Sequence, residues 1–157
     1  MTLATGTPLP GRRACLVAAL TALACRHQAP AIRSGDLEFT GVYSFAPVTP
    51  DEASVYFRVR NLGASDDTLT GANADIAASA MFHGIIADGA MRRMTRLERI
   101  PLPAGGSIIL EPGATHLMLM HLTRQPKPGD SIAVDLEFRR RGLVRLTVPV
   151  RPYGTGD

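Results

Sequence analysis

Three observations predict an all-β fold, an antiparallel sandwich or barrel with Greek-key connections. Glycine and proline number 15 and 12 in 157 residues, a density that favours short strands and frequent turns over long helices. Stretches alternating apolar with polar residues recur, separated by turn signals at intervals of about 8–12 residues. No stretch carries the period of a long amphipathic helix. The length suits one domain with a full hydrophobic core, and neither an internal repeat nor a second-domain boundary interrupts it.

The chain opens with a leader. Arg12-Arg13 precede the apolar run Ala14–Cys25, twelve residues that match a signal-peptide core and are too short to cross a bilayer. Ala22-Leu23-Ala24 fits a small-residue cleavage pattern, so residues 1–24 read as a signal peptide. Cleavage there would make Cys25 the new N-terminus and open a lipid-anchored alternative, although Ala22 stands where a lipidation signal usually has a larger apolar residue. Residues 25–35 read as a flexible spacer, 36–152 as the folded domain and 153–157 as a tail.

Within the domain, Asp36–Pro47 suggests one or two edge strands broken by Gly41 and Pro47. Ala53–Asn61 alternates cleanly, with Val55, Phe57 and Val59 on one face and Tyr56, Arg58 and Arg60 on the other. Thr68–Asn73 begins another strand. Ser79–Ile86 and Met91–Arg99 flank Asp88-Gly89, a hairpin signal. Pro101–Gly106 turns the chain, Ser107–Leu110 is a short strand, and Glu111-Pro112-Gly113 turns it again. Thr115–Thr123, Ser131–Arg139 and Leu143–Val150 complete the set.

Charge and cysteine usage exclude several functions. The formal charge is +3, and losing the leader removes two arginines and no acid, leaving +1. That balance gives no reason to expect nucleic-acid binding. Both cysteines, Cys15 and Cys25, belong to the leader, so the domain has no disulfide, thiolate metal site or thiol nucleophile. A blue-copper centre, which needs two His and one Cys, cannot form.

The remaining chemistry is concentrated between Met81 and His121. All five methionines beyond the initiator (Met81, Met91, Met94, Met118, Met120) and three of the four histidines (His83, His116, His121) fall there. Imidazole and thioether are neutral donors for soft ions, and thioether selects Cu(I). In Thr115–His121, residues at i and i+2 share a face about 6.8 Å apart. His116, Met118 and Met120 then line one side, with Leu117, Leu119 and His121 on the other. One strand cannot supply four ligands, so His83 and Met94, on either side of the hairpin turn, would bring the others. The product is a His₂Met₂ or HisMet₃ site. Taken singly, each methionine reads as core filler and each histidine as a satisfied polar group.

The spacing His83, Met94, His116, Met118 (H-x10-M-x21-H-x-M) resembles the signature of the periplasmic Cu(A)-type copper chaperones. The similarity extends over roughly residues 37–151, through Val55-Tyr56-Phe57 with Asn61-Leu62-Gly63, Met91–Met94, Ile100–Gly106, His116–Met120 before Pro128-Gly129-Asp130, and Val148-Pro149-Val150. It implies a cupredoxin-like β-sandwich that binds Cu(I) near its surface. It also implies delivery in the periplasm to a copper-accepting protein, a cytochrome c oxidase subunit or another assembly chaperone. Two features depart from the family pattern. Pro112–Thr115 stands where members often have Gly-Gly-Tyr, and no His/Met-rich tail follows Val150, so no added Cu(II) site is expected.

These residues predict an exported metallochaperone rather than an enzyme. Membrane contact is expected only through a lipidated Cys25. A secreted copper enzyme or oxidative-defence protein would need acid or base groups by the ligands, where the sequence offers only Asp88. A third reading is an adhesive or interaction sandwich whose methionines are simply core. Arg92, Arg93, Arg96 and Arg99, close to Met94, read as a solvated face that could steer docking onto an acidic recipient.

Overall fold

A computed structural model describes residues 30–88 and 91–154, and the leader with Cys25 lies outside them. Among the described residues the chain forms strands only: β1 (Ile32–Ser34), β2 (Leu37–Phe45), β3 (Glu52–Asn61), β4 (Asp67–Ala74), β5 (Ala77–Asp88), β6 (Met91–Leu97), β7 (Ile100–Leu102), β8 (Ser107–Leu110), β9 (His116–Leu122), β10 (Ser131–Phe138) and β11 (Gly142–Arg151). Strands expected from alternation occur where alternation is cleanest. Three differences have local causes. β1 falls inside the expected spacer 25–35 and pairs back onto β2, Ile32 opposite Phe39. β7 occupies part of the expected turn after Arg99, pairing Leu102 with Asp67. β2 is not an edge strand, since it lies between β3 and β11. Its Gly41, at φ +59°, allows the register shift between Thr40 and Tyr43 that carries the strand past its break.

Hydrogen bonding runs in the order β6-β5-β9-β3-β2-β11-β10-β4-β7, with β1 added to β2 and β8 to β3. Every pairing is antiparallel except a short parallel one that joins the two layers, Val150 beside Ser44 and Arg151 beside Phe45. β6, β5, β9, β3 and β2 make one layer. β11, β10, β4 and β7 make the other.

Alternation fills the space between them. Val55, Phe57 and Val59 of β3 and Leu117 and Leu119 of β9 point inward against Val134 and Leu136 of β10 and Val144, Leu146 and Val148 of β11, all in one buried cluster. The Phe39 ring is the bridge, 6.0 Å from Phe57 beside it and 6.2 Å from Phe138 of the opposite layer. Such tilted and edge-on aromatic contacts add to the burial itself.

Two buried polar residues fasten the loops. Asn61 donates from Nδ2 to the carbonyls of Ser65 (2.8 Å) and Leu102 (3.3 Å) and accepts from Gly63 N–H (3.0 Å). A side chain at Gly63 would collide with Asp36, whose Oδ2 would stand 2.6 Å from its Cβ. Asp67 accepts the backbone N–H groups of Thr68, Arg140 and Arg141 at 2.7, 2.8 and 3.0 Å. Asn61-Leu62-Gly63 and Asp66-Asp67 are therefore turn chemistry, which satisfies backbone donors that would otherwise be buried unpaired.

Candidate metal centre

β9 is flanked by β5 and β3, and pairing fixes what its outer face meets. His116 lies opposite His83, Met118 opposite Met81, and Met120 opposite Ser79 on β5. On the other side Met118 lies opposite Ser54, and Met120 opposite Glu52. The inward residues Leu117 and Leu119 are fully buried. The division of β9 expected from its alternation thus holds from His116 to Met120. It fails at His121, which was expected with the leucines. That residue has φ +55°, which turns its side chain out to solvent, where Nδ1 lies 3.2 Å from Asp51.

The two histidines face each other across the strands, ring centroids 5.8 Å apart and nearly perpendicular. His116 is mostly buried, and its Nδ1 lies 2.9 Å from the carbonyl oxygen of Ala114. A carbonyl can only accept, so Nδ1 carries a proton, and in the neutral ring the lone pair is then on Nε2. The β8–β9 turn sets this contact: Glu111 N–H donates to Thr115 O and Ala114 N–H to Glu111 O, around Gly113 at φ +76°. The departure at Pro112–Thr115 is therefore the segment that orients one of the two imidazoles.

His83 has a different environment. Its Nδ1 is buried and without a hydrogen-bond partner. Burial holds its pKa below the ordinary imidazole value, reinforced by His116 and Arg96 and partly opposed by Glu52. Two imidazoles on one face, one of them with an unsatisfied nitrogen, make a donor pair suited to a cation.

The thioethers are arranged less symmetrically. Met118 is two residues along from His116, and its sulfur lies 3.8 Å from Ser54 Oγ. Met94 lies opposite Ile85 on β6, hence on the same face as His83 and diagonal to it. Diagonal neighbours stand about 7–8 Å apart, within reach of a long side chain. Met94 is 53% exposed. The four expected ligands thus share one outer face. His83 and His116 are held together by direct pairing, with Met118 at the next outward position of β9, whereas Met94 approaches from the far side of the histidine pair. The turn expected at Asp88-Gly89 and the side chains of residues 86–92, Asp88, Met91 and Arg92 among them, lie outside the described part.

Three neighbours were not singled out by sequence: Ser54, Glu52 and the opposition of Met81 to Met118. The outward positions of β3 would have shown the first two only if its pairing with β9 had been known. Glu52 is an acid beside this face, although its partner across the strands is Met120 and not a histidine. Among the described residues no three His, Cys, Asp or Glu side chains converge on a metal position, so a centre here must draw on sulfur. Two surface concavities lie elsewhere, around Asp66–Thr68, Glu98, Arg99, Arg139 and Arg140, and include no His or Met.

Comparison with known proteins adds to this geometry. The model of the family described as "Putative lipoprotein LpqE-like" matches residues 37–150. A relative from Leifsonia xyli subsp. xyli, named as a "Putative lipoprotein", is 30% identical over 96 residues, covering 60% of this chain and 58% of that protein. The match therefore spans less than two thirds of that relative. Among solved structures, the copper-bound PCuAC domain of PmoF2 superposes with a TM-score of 0.67 at 23% identity, covering 78% of this chain and 98% of that domain. The CuI form of DR1885 from Deinococcus radiodurans gives 0.60 at 23% identity, covering 82% and 85%. At these identities the likeness establishes the fold, the all-β cupredoxin-like sandwich expected from the sequence.

Proposed function

The chain belongs to the LpqE-like family, and on that premise we propose that it is an exported copper-binding transfer protein, not an enzyme, that carries Cu(I) to a partner. One observation carries the reading: His83 and His116 oppose each other 5.8 Å apart on the outer face, with Met118 in the adjoining register position. His83, Met94, His116 and Met118 supply two imidazole nitrogens and two thioether sulfurs. All four are neutral and none is a thiolate, the donor type that suits Cu(I) and leaves Zn²⁺ without its preferred carboxylate or thiolate. Two structures sharing the fold, the copper-bound PCuAC domain of PmoF2 and the CuI form of DR1885, support the same choice of metal.

Placement on an open face suits transfer. Met94 is exposed at the outermost strand, where an incoming ligand can displace its sulfur while the imidazoles still hold the ion. The recipient would be a copper-accepting protein, with a cytochrome c oxidase subunit or an assembly chaperone as the leading class. Export, with a lipid anchor at Cys25 as one form of it, accords with the lipoprotein descriptions of the family and its relative.

Anaerobic Cu(I) titration of the protein, with X-ray absorption at the copper edge, tests the assignment. One equivalent should bind with both nitrogen and sulfur scatterers. A His116→Ala/Met118→Ala double variant should lose stoichiometric binding while its far-ultraviolet circular dichroism stays that of a β protein. Unchanged binding in that variant would remove the assignment.

A further inference from the structure

We propose that Met81 is a copper-ligating residue, completing a compact four-donor square with His83, His116 and Met118, and that Met94 is the exchangeable ligand on its rim. This deepens the copper reading above and rests on it. His83 faces His116 and Met81 faces Met118 in consecutive same-face positions of the β5–β9 pair. Directly opposed side chains have Cβ atoms about 4.5–5.5 Å apart, and same-face neighbours along a strand are about 6.8 Å apart. Those spacings set the four Cβ atoms at the corners of a rectangle about one point above the pleat. Imidazole and the three-torsion methionine chain are long enough to close on it at bonds of about 2.0–2.3 Å.

Met94 stands differently. It opposes Ile85, one same-face step beyond His83 on the side away from Met81 and Met118. On a sheet, Met94 and Met118 are therefore separated by two strand spacings and by the step on each side of the histidine pair. Met81 meets Met118 directly. Met81 and Met118 are both half-buried, whereas Met94 is 53% exposed. The inner square is thus the more sheltered set, and Met94 the sulfur a recipient would meet first. No bond other than metal–ligand bonds forms or breaks, and copper stays Cu(I) throughout.

The test uses protein labelled with ¹³C at the methionine methyl groups, titrated anaerobically with Cu(I). At one equivalent the Met81 and Met118 methyl resonances should move together. A Met81→Leu variant, which conserves volume, should keep the apo amide fingerprint, lose one sulfur scatterer at the copper edge and bind Cu(I) at least about tenfold more weakly, since even outer-shell changes act on that scale. Met94→Leu should change affinity less and slow copper loss to a competing chelator. The proposal is overturned if the Met81 methyl stays still while those of Met94 and Met118 move. It is equally overturned if Met81→Leu retains sulfur count and affinity, because a moved methyl would then report proximity alone. If no methyl or imidazole resonance responds in the wild-type protein, the copper assignment itself fails, a result distinct from either.

Discussion

His83 Nδ1 is buried among neighbours that offer it no hydrogen bond, and burial, His116 and Arg96 all disfavour its protonation. Its folded pKa is therefore depressed relative to the unfolded chain. Such a group contributes stability that is fully present above the unfolded value, about 6.5 for imidazole, and is lost as pH falls through the lower folded value. The urea midpoint of the apo protein should consequently decline as pH is taken below about 6.5, beyond the decline shown by a His83→Gln variant. Parallel declines in the two proteins would show that His83 does not contribute. The same depression keeps the imidazole available to a cation at mildly acid pH. His116 is oriented by another means, its Nδ1–H held by Ala114 O. At this scale the sequence was informative about identity and silent about state. Histidine and methionine at these spacings were visible, but a hydrogen bond from a turn carbonyl, or its absence at the second ring, depends on backbone that only the fold supplies.

Among elements, β6 combines position and charge. It is the outermost strand of its layer, and Arg93 and Arg96 flank Met94 on it. Arg93, Arg96 and Arg99 are exposed and form no ion pair among the described residues. Unneutralised charge on a rim acts chiefly on encounter rate. Reversing Arg93 and Arg96 to Glu should slow copper transfer to an acidic acceptor by about tenfold or more at low salt, with the difference shrinking as ionic strength rises. A stopped-flow transfer assay across salt concentrations measures it, and an unchanged rate at low salt would dismiss steering. Strands as regular as β3, β9 and β10 were legible because one face of each is core. β1 and β7 were not, and β2 was legible as a strand but not in its central place, for physical reasons. β1 is only three residues long, Gly41 bends β2, and β7 carries Pro101, where an isolated segment would only turn, and is held by the distant β4.

Across the whole molecule, the two layers are joined by little main-chain hydrogen bonding, the short β2–β11 contact, and by much side-chain packing. Phe39, buried between Phe57 and Phe138, is the clearest member of that packing. Phe39→Ala should destabilise the protein by about 3–5 kcal/mol through lost burial and the cavity left behind. Chemical denaturation measures this, and a loss below about 1 kcal/mol would place the cohesion of the layers elsewhere. The overall class was the most legible level, because alternation and turn density constrain a sandwich regardless of strand order. Strand order decides which side chains meet on the outer face. That β5 lies beside β9, so that Met81 rather than Met94 meets Met118, cannot be read from spacing along the chain.

The pleat keeps two tasks apart. Every donor on β9 points away from the leucines that alternate with it. Filling or emptying that outer side asks nothing of the oily interior behind it. A courier built this way can hand over its cargo and go back for another with its shape unaltered between trips.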